Sequence, residues 1–399
     1  MPLIFFSDKR IIFKMKPCRR LSFKGRIFVL CCIICLLFYM QMFSNTSFEQ
    51  NSSNIEYFAD KTWKNKTRKL ILLWTKFWSL EYWTEVDKFG IPPCASRCDI
   101  TVDKSRIEEA DAVLFHWGNL WWYTDLPIYR RSDQVWVFYN AEPLHKQSNL
   151  APWKNVFNWS MSYRTDSTVF SPFGIYFEMT DKEKAEARVK FSKRNFAMEK
   201  KYNISMTYSN CYDDARRYRI SDNINKYIKI DIFGRCGGKD DCKFNTPECN
   251  SKLSSYKFHL ALDNSFCKDY FSEKFWECLE KDVIPIVAWK QSPGKLVPPK
   301  SYINIFDFPD IKSFAKFIES LMRNDAEYNS YFEWKQKYTF TNTYNRHWCP
   351  LCDALFNSTI PHQVVKDPYR WLADDFCEPV SIRQWIGIIS DRWLFDLGF

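Results

Sequence analysis

Two sets of side chains in this sequence have the types and the placement that chemistry needs. The first is Asn140-Ala-Glu142-Pro, directly after the apolar run Val135–Tyr139. A carboxylate at the end of a buried strand, fixed by a following proline, has the position of a general base. A surface-loop acid is the commoner fate of a lone glutamate, so position alone does not decide between them. The second set is Glu273 and Lys274, with Asn264 and Tyr270 just upstream and Arg217 further back. Ser272 suits an N-cap, which puts Lys274 in the first turn of a helix, where backbone N–H groups favour anions. Taken singly, Glu273 and Lys274 read as solvated helix charges and Arg217 as one more exposed arginine.

These residues need elements to hold them. Lys69–Thr75, Ala112–Trp117 and Val135–Tyr139 are short, unbroken and rich in β-branched and aromatic residues. Such runs predict strands buried on both faces, as in a parallel sheet; buried helix fragments are the alternative. A second series follows past residue 203: Tyr227–Phe233 ending at Gly234, then Tyr256–Leu262 and Val283–Val287. Between the last two, Ser272–Lys281 carries Phe275 and Leu279 four apart, the spacing of a helix face, which completes a right-handed βαβ unit. Asp181–Lys201 is charged and reads as an amphipathic helix linking the two series. The expected fold is α/β, with two Rossmann-like domains (68–202 and 203–345) and a cleft at the carboxyl ends of their strands. Residues 346–399, with Trp371, Trp385 and Trp393, carry enough aromatic surface to pack back on that body.

The second series holds a long ordered pattern. Tyr256-Lys-Phe-His259-Leu-Ala-Leu-Asp263-Asn264-Ser runs into Phe266-Cys-Lys-Asp-Tyr270-Phe-Ser272-Glu273-Lys274-Phe-Trp and on to Asp282-Val-Ile-Pro-Ile-Val287, with Ser209-Asn210-Cys211 and Arg217 upstream. This stretch resembles the α1,3/α1,4-fucosyltransferase family (glycosyltransferase family 10), whose pattern reads approximately F-x-L-A-F-E-N-S-x-x-x-D-Y-x-T-E-K. Shorter family-like pieces are Asn140-Ala-Glu142-Pro, Tyr163-Arg164-Thr-Asp166-Ser, Asp231-Ile-Phe-Gly234 and Cys349-x-x-Cys352. The resemblance implies a GT-B architecture, a C-terminal half that binds GDP-fucose and an inverting displacement with Glu142 as base. It assigns Arg217 and Lys274 to the pyrophosphate, Asn264 and Glu273 to the ribose or fucose, and Tyr270 to the nucleotide's surroundings. Arg164, Asp166 and His259 become donor-site neighbours. Asp263 stands where Glu is usual, Ser272 where Thr is usual, His259 where Tyr is common and Thr168 where an acid is frequent.

The implied acceptor is an N-acetylglucosamine-containing glycan, either an N-glycan core or a LacNAc/LacdiNAc antenna. A glycan-binding or scaffold protein on a decayed transferase fold, and a transferase for another GDP-sugar, are the competing readings. The chain has no Asp-X-Asp tripeptide, which argues against a metal-centred donor site. No cofactor is expected to be required, and stimulation by manganese is left open.

The rest of the sequence bears on location. The formal charge is +10, but residues 1–26 hold eight Lys/Arg against Asp8 alone. The body is therefore nearly neutral and offers no basic stripe to nucleic acid. After that basic tail, Ile27–Phe43 is a 17-residue apolar segment, at the short limit of the roughly 17–25 residues a spanning helix needs. With positive charge before it and no small-residue cleavage site after it, it reads as an uncleaved signal-anchor. Residues 1–26 would then be cytosolic, 44–67 a lumenal stem, and the protein a type II Golgi membrane protein. Asn45, Asn51, Asn65, Asn158, Asn203 and Asn357 open glycosylation triplets, all beyond the apolar run. Eleven of the 15 cysteines also lie beyond it, where disulfides are the default. Cys94 and Cys98 are expected to pair with Cys349 and Cys352 rather than bind zinc, and Cys236, Cys242 and Cys249 are further disulfide candidates. Eleven is odd, so at least one thiol stays free or pairs between chains. Nothing in the sequence speaks to oligomeric state.

Overall fold

The parallel pairing expected of the apolar runs occurs twice. The computed structural model describes residues 56–58, 67–76, 97–120, 124–143, 153–237, 242, 246–342, 348–373 and 377. All of them belong to one compact unit, Ile55–Phe399. The expected tail and span at 1–43 lie outside the described residues, among which no helix is long and apolar enough to cross a membrane.

The first sheet has six strands in the order β3-β2-β4-β6-β7-β8, all parallel. In chain order they are β2 (Lys69–Leu73), β3 (Cys98–Thr101), β4 (Ala112–His116), β6 (Val135–Asn140), β7 (Trp159–Ser162) and β8 (Val169–Phe170). Every residue of β4 and β6 is buried, as befits central strands covered on both faces. Two short strands, β1 (Glu56–Phe58) and β5 (Tyr129–Arg131), pair in parallel beside it. The segment expected to be a stem thus contributes residues 56–58 to the folded body.

The second sheet is also wholly parallel, in the order β11-β10-β12-β13-β14. Its strands are β10 (Tyr202–Thr207), β11 (Ile230–Phe233), β12 (Tyr256–Leu260), β13 (Ile284–Val287) and β14 (Ile303–Asn304). An antiparallel pair, β9 (Gly174–Glu178) with β15 (Tyr338–Asn342), returns the chain from the second half to the first.

Eight α-helices complete the described residues: α1 (Asp181–Ser192), α2 (Arg217–Asn225), α3 (Pro247–Ser254), α4 (Glu273–Glu280), α5 (Ile311–Arg323), α6 (Asp325–Ser330), α7 (Trp348–Phe356) and α8 (Pro368–Ala373). The βαβ unit at β12-α4-β13 forms as expected, and α4 buries Phe275, Trp276, Cys278 and Leu279. The linking helix differs from expectation. A capping box of Thr180 and Glu183 starts it, but it stops at Ser192 and buries none of its residues. Its composition explains this: with charged or polar residues at eight of twelve positions there is no apolar stripe to bury. The buried aromatic of this region, Phe196, comes after the helix, stacked at 4.3 Å on Phe332.

One apolar cluster joins the halves, running from Ile71, Leu114 and Val137 of the first sheet through Tyr163 and Tyr270 to Phe275, Trp276 and Val287. At Gly174 a Cβ would stand 2.2 Å from the Trp276 ring, so the close approach of β9 to α4 requires glycine.

Disulfides fasten the periphery to this core. Cys98 is bonded to Cys352 as the paired spacing led us to expect. Cys349 is also disulfide-bonded, while Cys94 lies outside the described residues. Cys242 pairs with Cys249, and Cys236 with Cys211. Cys267–Cys377 ties the C-terminal segment to the loop before α4. Among the described residues the free thiol is Cys278, buried on α4.

Candidate active site

A cavity of ≈ 540 Å³ opens at the carboxyl ends of β10, β11 and β12, with Glu142 of the first half on its wall. Arg217, Asn264, Glu273, Lys274 and His259 also line it. Six residues scattered over more than 130 positions thus meet at one concavity.

Glu142 follows β6 by two residues, and its backbone N–H donates to Asn140 Oδ1 at 3.2 Å. That bond holds the turn which carries the carboxylate out of the strand. Its charge reaches His116, the last residue of β4, and Tyr270. Burial lowers His116 to about 4 despite its contact with Asn119 and the nearby Glu142 carboxylate, so the ring is neutral. Nδ1 lies 2.8 Å from Asn119 Oδ1. His116 escaped the sequence reading, although its place at the carboxyl end of a buried run was the available signal.

The cations come from the second half of the chain. Arg217 opens α2, buried, with Nε donating to Asp213 Oδ2 at 2.7 Å and its terminal nitrogens to the carbonyls of Leu262 and Asn210 at 3.2 and 3.3 Å. These bonds fix the guanidinium and leave two of its five N–H groups without a partner among the described residues. The preceding residue, Arg216, caps α2 at φ 51°, a left-handed conformation that costs a non-glycine residue about 1 kcal/mol. Lys274 Nζ lies 2.6 Å from Glu273 Oε1. Burial works against both charges, but their mutual attraction prevails, holding Glu273 below and Lys274 above their ordinary values. The two are a charged pair throughout the neutral range. Arg217 stands close enough to favour ionised Glu273 and oppose charged Lys274, so the two cations face one space.

The remaining lining is mostly neutral. Burial, then the charges of Lys281 and Lys274, push His259 down to about 3, and its Nδ1 lies 2.8 Å from Ser205 Oγ. The Asn264 side-chain oxygen is buried without a hydrogen-bond partner among the described residues. Gly234 ends β11 at φ 84°, where a Cβ would meet the Tyr208 carbonyl oxygen at 2.8 Å; only glycine makes this turn without strain.

Three expected donor-site neighbours do not themselves line the cavity. Tyr270 is buried in the inter-sheet cluster, its ring 4.9 Å from Tyr163 and 5.9 Å from Phe173, and it does not line the cavity. A large aromatic in a loop between two sheets gains more by filling the core than by facing solvent. Arg164 is buried too: its Nε and Nη2 grip Asp166 at 2.8 and 2.6 Å, and its guanidinium lies 4.4 Å from the Trp371 ring. Arg164 therefore packs against the C-terminal segment, and neither it nor Asp166 lines the cavity. Among the sequons, Asn158 is 2% exposed and its amide is consumed by bonds to Arg130, the Trp136 N–H and the Gln363 carbonyl. A folded chain has no room for a glycan there. Asn203 and Asn357 are exposed, and Asn45, Asn51 and Asn65 lie outside the described residues.

Parallel α/β sheets with a carboxylate and fixed cations lining one cavity are suited to group transfer from an anionic substrate. Residues 66–174 match the family model for the fucosyltransferase N-terminal region, and residues 197–371 that for glycosyltransferase family 10 (fucosyltransferase), C-terminal. The chain is 32% identical over 283 residues to glycoprotein 3-alpha-L-fucosyltransferase A of Drosophila melanogaster, covering 69% of this chain and 53% of that one, about half its length. It is 30% identical over 279 residues to the human 4-galactosyl-N-acetylglucosaminide 3-alpha-L-fucosyltransferase FUT5 (67% and 70% covered), and 27% over 338 residues to alpha-(1,3)-fucosyltransferase fut-5 of Caenorhabditis elegans (81% and 88%). A crystal structure of an alpha1,3-fucosyltransferase with GDP-fucose shares the fold, with a TM-score of 0.50 at 19% identity, covering 79% of this chain and 98% of that one. The protein belongs to glycosyltransferase family 10, the fucosyltransferases.

Proposed function

We propose that this enzyme transfers L-fucose from GDP-fucose, with inversion, to the 3-hydroxyl of N-acetylglucosamine in a glycan. The observation that carries the reading is the single cavity shared by Glu142, Arg217, Asn264, Glu273 and Lys274. On this reading the acceptor hydroxyl gives its proton to Glu142 as it attacks the anomeric carbon. The bond to GDP breaks on the far side, and negative charge grows on the pyrophosphate. Arg217 and Lys274, already fixed and largely desolvated, stabilise that charge without reorganising. Arginine offers a planar fork and lysine a point charge, so the two are suited to different phosphate oxygens. Asn264 and Glu273 would bind sugar hydroxyls. With two cations in place, no metal is needed to neutralise the leaving group.

The same reading takes the two parallel sheets as the lobes of a GT-B enzyme, meeting near residue 202. Residues 27–43 would anchor it in the Golgi membrane with the body in the lumen. The basic tail ahead of that apolar segment and the four disulfides among the described residues suit that assignment. The test is the full-length enzyme with GDP-fucose and a panel of N-glycan-core, LacNAc and LacdiNAc acceptors, read by product mass and linkage. A product with fucose α1,3-linked to N-acetylglucosamine is expected. Failure to consume GDP-fucose with any acceptor would sink the proposal.

A further inference from the structure

The loop from β12 to α4 has cavity residues at both ends: Asn264 enters it, and Glu273 and Lys274 open the helix that leaves it. Its middle, residues 267–271, does not line that cavity and is held from outside. Cys267 is bonded to Cys377, and the Tyr270 ring packs 4.9 Å from Tyr163. Between these two fastenings stands Asp269, four residues ahead of the start of α4, at φ 61°. Asp269 Oδ2 accepts two hydrogen bonds from Thr165, from its N–H at 3.1 Å and from its Oγ1 at 2.6 Å. Thr165 lies in the turn between β7 and β8, in the half of the chain that carries Glu142.

A left-handed backbone is costly for a residue with a Cβ, whereas glycine takes it freely. Conformation alone would therefore select glycine at 269. Aspartate tolerates this conformation better than most residues, and it supplies what glycine lacks, a carboxylate that reaches the first half. Hydrogen bonds to a carboxylate are stronger than neutral ones, and two donors meeting at one oxygen fix direction as well as distance. The apolar cluster that joins the halves is non-directional by comparison. Strained backbone persists where its surroundings over-determine it, and such positions gather where geometry matters. Thr165 is exposed and Asp269 half-buried, so the fold itself does not hang on their contact.

We infer that Asp269 and Thr165 form a latch between the halves, which makes Asp269 a positioning residue: it sets where the first turn of α4 stands relative to Glu142. This rests on the transfer reaction proposed above, in which the hydroxyl activated at Glu142 and the pyrophosphate leaving toward Lys274 must line up through one anomeric carbon. A misplacement of about 1 Å in such an alignment costs on the order of 10²-fold in rate. Binding of GDP alone does not need the alignment, because Arg217 and Lys274 both come from the second half.

Variants of the full-length enzyme test this, with fucose transfer and calorimetric titration of GDP measured on each. Asp269→Gly relieves the backbone and removes the carboxylate; kcat should fall about tenfold while GDP affinity stays unchanged. Asp269→Asn, which keeps an acceptor oxygen and tolerates the same backbone, should stay within about twofold of wild type. Thr165→Val should lower kcat in the same direction and Thr165→Ser should restore it. Combining Asp269→Gly with Thr165→Val should cost no more than Asp269→Gly alone, since both remove one contact. Wild-type kcat in Asp269→Gly overturns the latch, as do losses that add in the double variant. A fall in GDP affinity that matches the fall in kcat overturns it too, because the loop would then merely support the donor cavity. A wild type that transfers no fucose sinks the reaction and the latch together, whereas an unimpaired Asp269→Gly sinks the latch alone.

Discussion

The two parallel sheets have the same architecture and face the cavity with opposite chemistry. The first is a dry wall: β4 and β6 are buried along their whole length, and from it one carboxylate, Glu142, reaches the cavity. The second is an ionic wall, with Arg217, Glu273, Lys274, Glu277 and Lys281 all lining the space. Its strand β12 alternates buried and half-buried residues, so that His259 looks into the cavity from the sheet itself. On the proposed mechanism, the division follows from what each half would hold. A base acts best as a single carboxylate in a neutral setting, because neighbouring cations would weaken it. A departing diphosphate needs several fixed positive charges, and these need counter-charges and hydrogen bonds of their own, which Asp213 and Glu273 supply.

Breaking the dry wall should have the largest effect. Glu142→Gln keeps shape and removes the proton acceptor, so kcat should fall about 10³-fold while GDP affinity stays unchanged. Wild-type turnover in this variant, by radiolabelled fucose transfer, would dismiss Glu142 as the base. On the ionic wall, Lys274→Ala should lower kcat/KM for GDP-fucose about 10²-fold and weaken GDP binding as well. An unchanged value removes Lys274 from the site.

The neutral histidines sharpen the contrast through pH. In the folded chain His116 lies at about 4 and His259 at about 3, against 6.5 for an unperturbed ring. As pH falls below about 6.5, the unfolded chain takes up protons that the folded chain refuses, so the stability these residues provide is present above that value and is lost on acidification. Each should cost about 2 kcal/mol of stability by pH ~5. Melting curves between pH ~7.5 and ~5 should show the decline, and His259→Asn should flatten it. An identical slope in that variant would mean that His259 is not held neutral. The smallest effect is expected for Arg217→Lys, about tenfold in kcat/KM, since the charge survives and only the fork and its bonds to Asp213 and two carbonyls are lost. A loss as large as that for Lys274→Ala would mean that the fork matters more than the charge.

Much of this was legible in the chain. The unbroken runs Lys69–Thr75, Ala112–Trp117 and Val135–Tyr139 became strands β2, β4 and β6 because continuous apolar sequence leaves them no solvent-facing side. The β12-α4-β13 unit was readable from periodicity, with Ser272 at the N-cap position although its side chain makes no capping bond, and the ordered pattern from His259 to Lys274 pointed to the candidate site. The spacing of Cys98 and Cys352 likewise agreed with the bond that forms. Short strands such as β8 and β14, of two residues each, carry no periodicity of their own and exist only because a neighbour offers them an edge.

Sequence by itself determined which local elements form and which residues carry charge, because those depend on neighbours in the chain. Tertiary structure decided which polar residues reach the cavity and which are packed elsewhere. Arg164 and Tyr270 sit in the same kind of motif as Lys274, yet packing sends one against Trp371 and the other into the core. Asn158 bears the same triplet signal as Asn203, but hydrogen bonds from distant segments enclose it. Burial is a property of what arrives from far along the chain, and no local pattern encodes it.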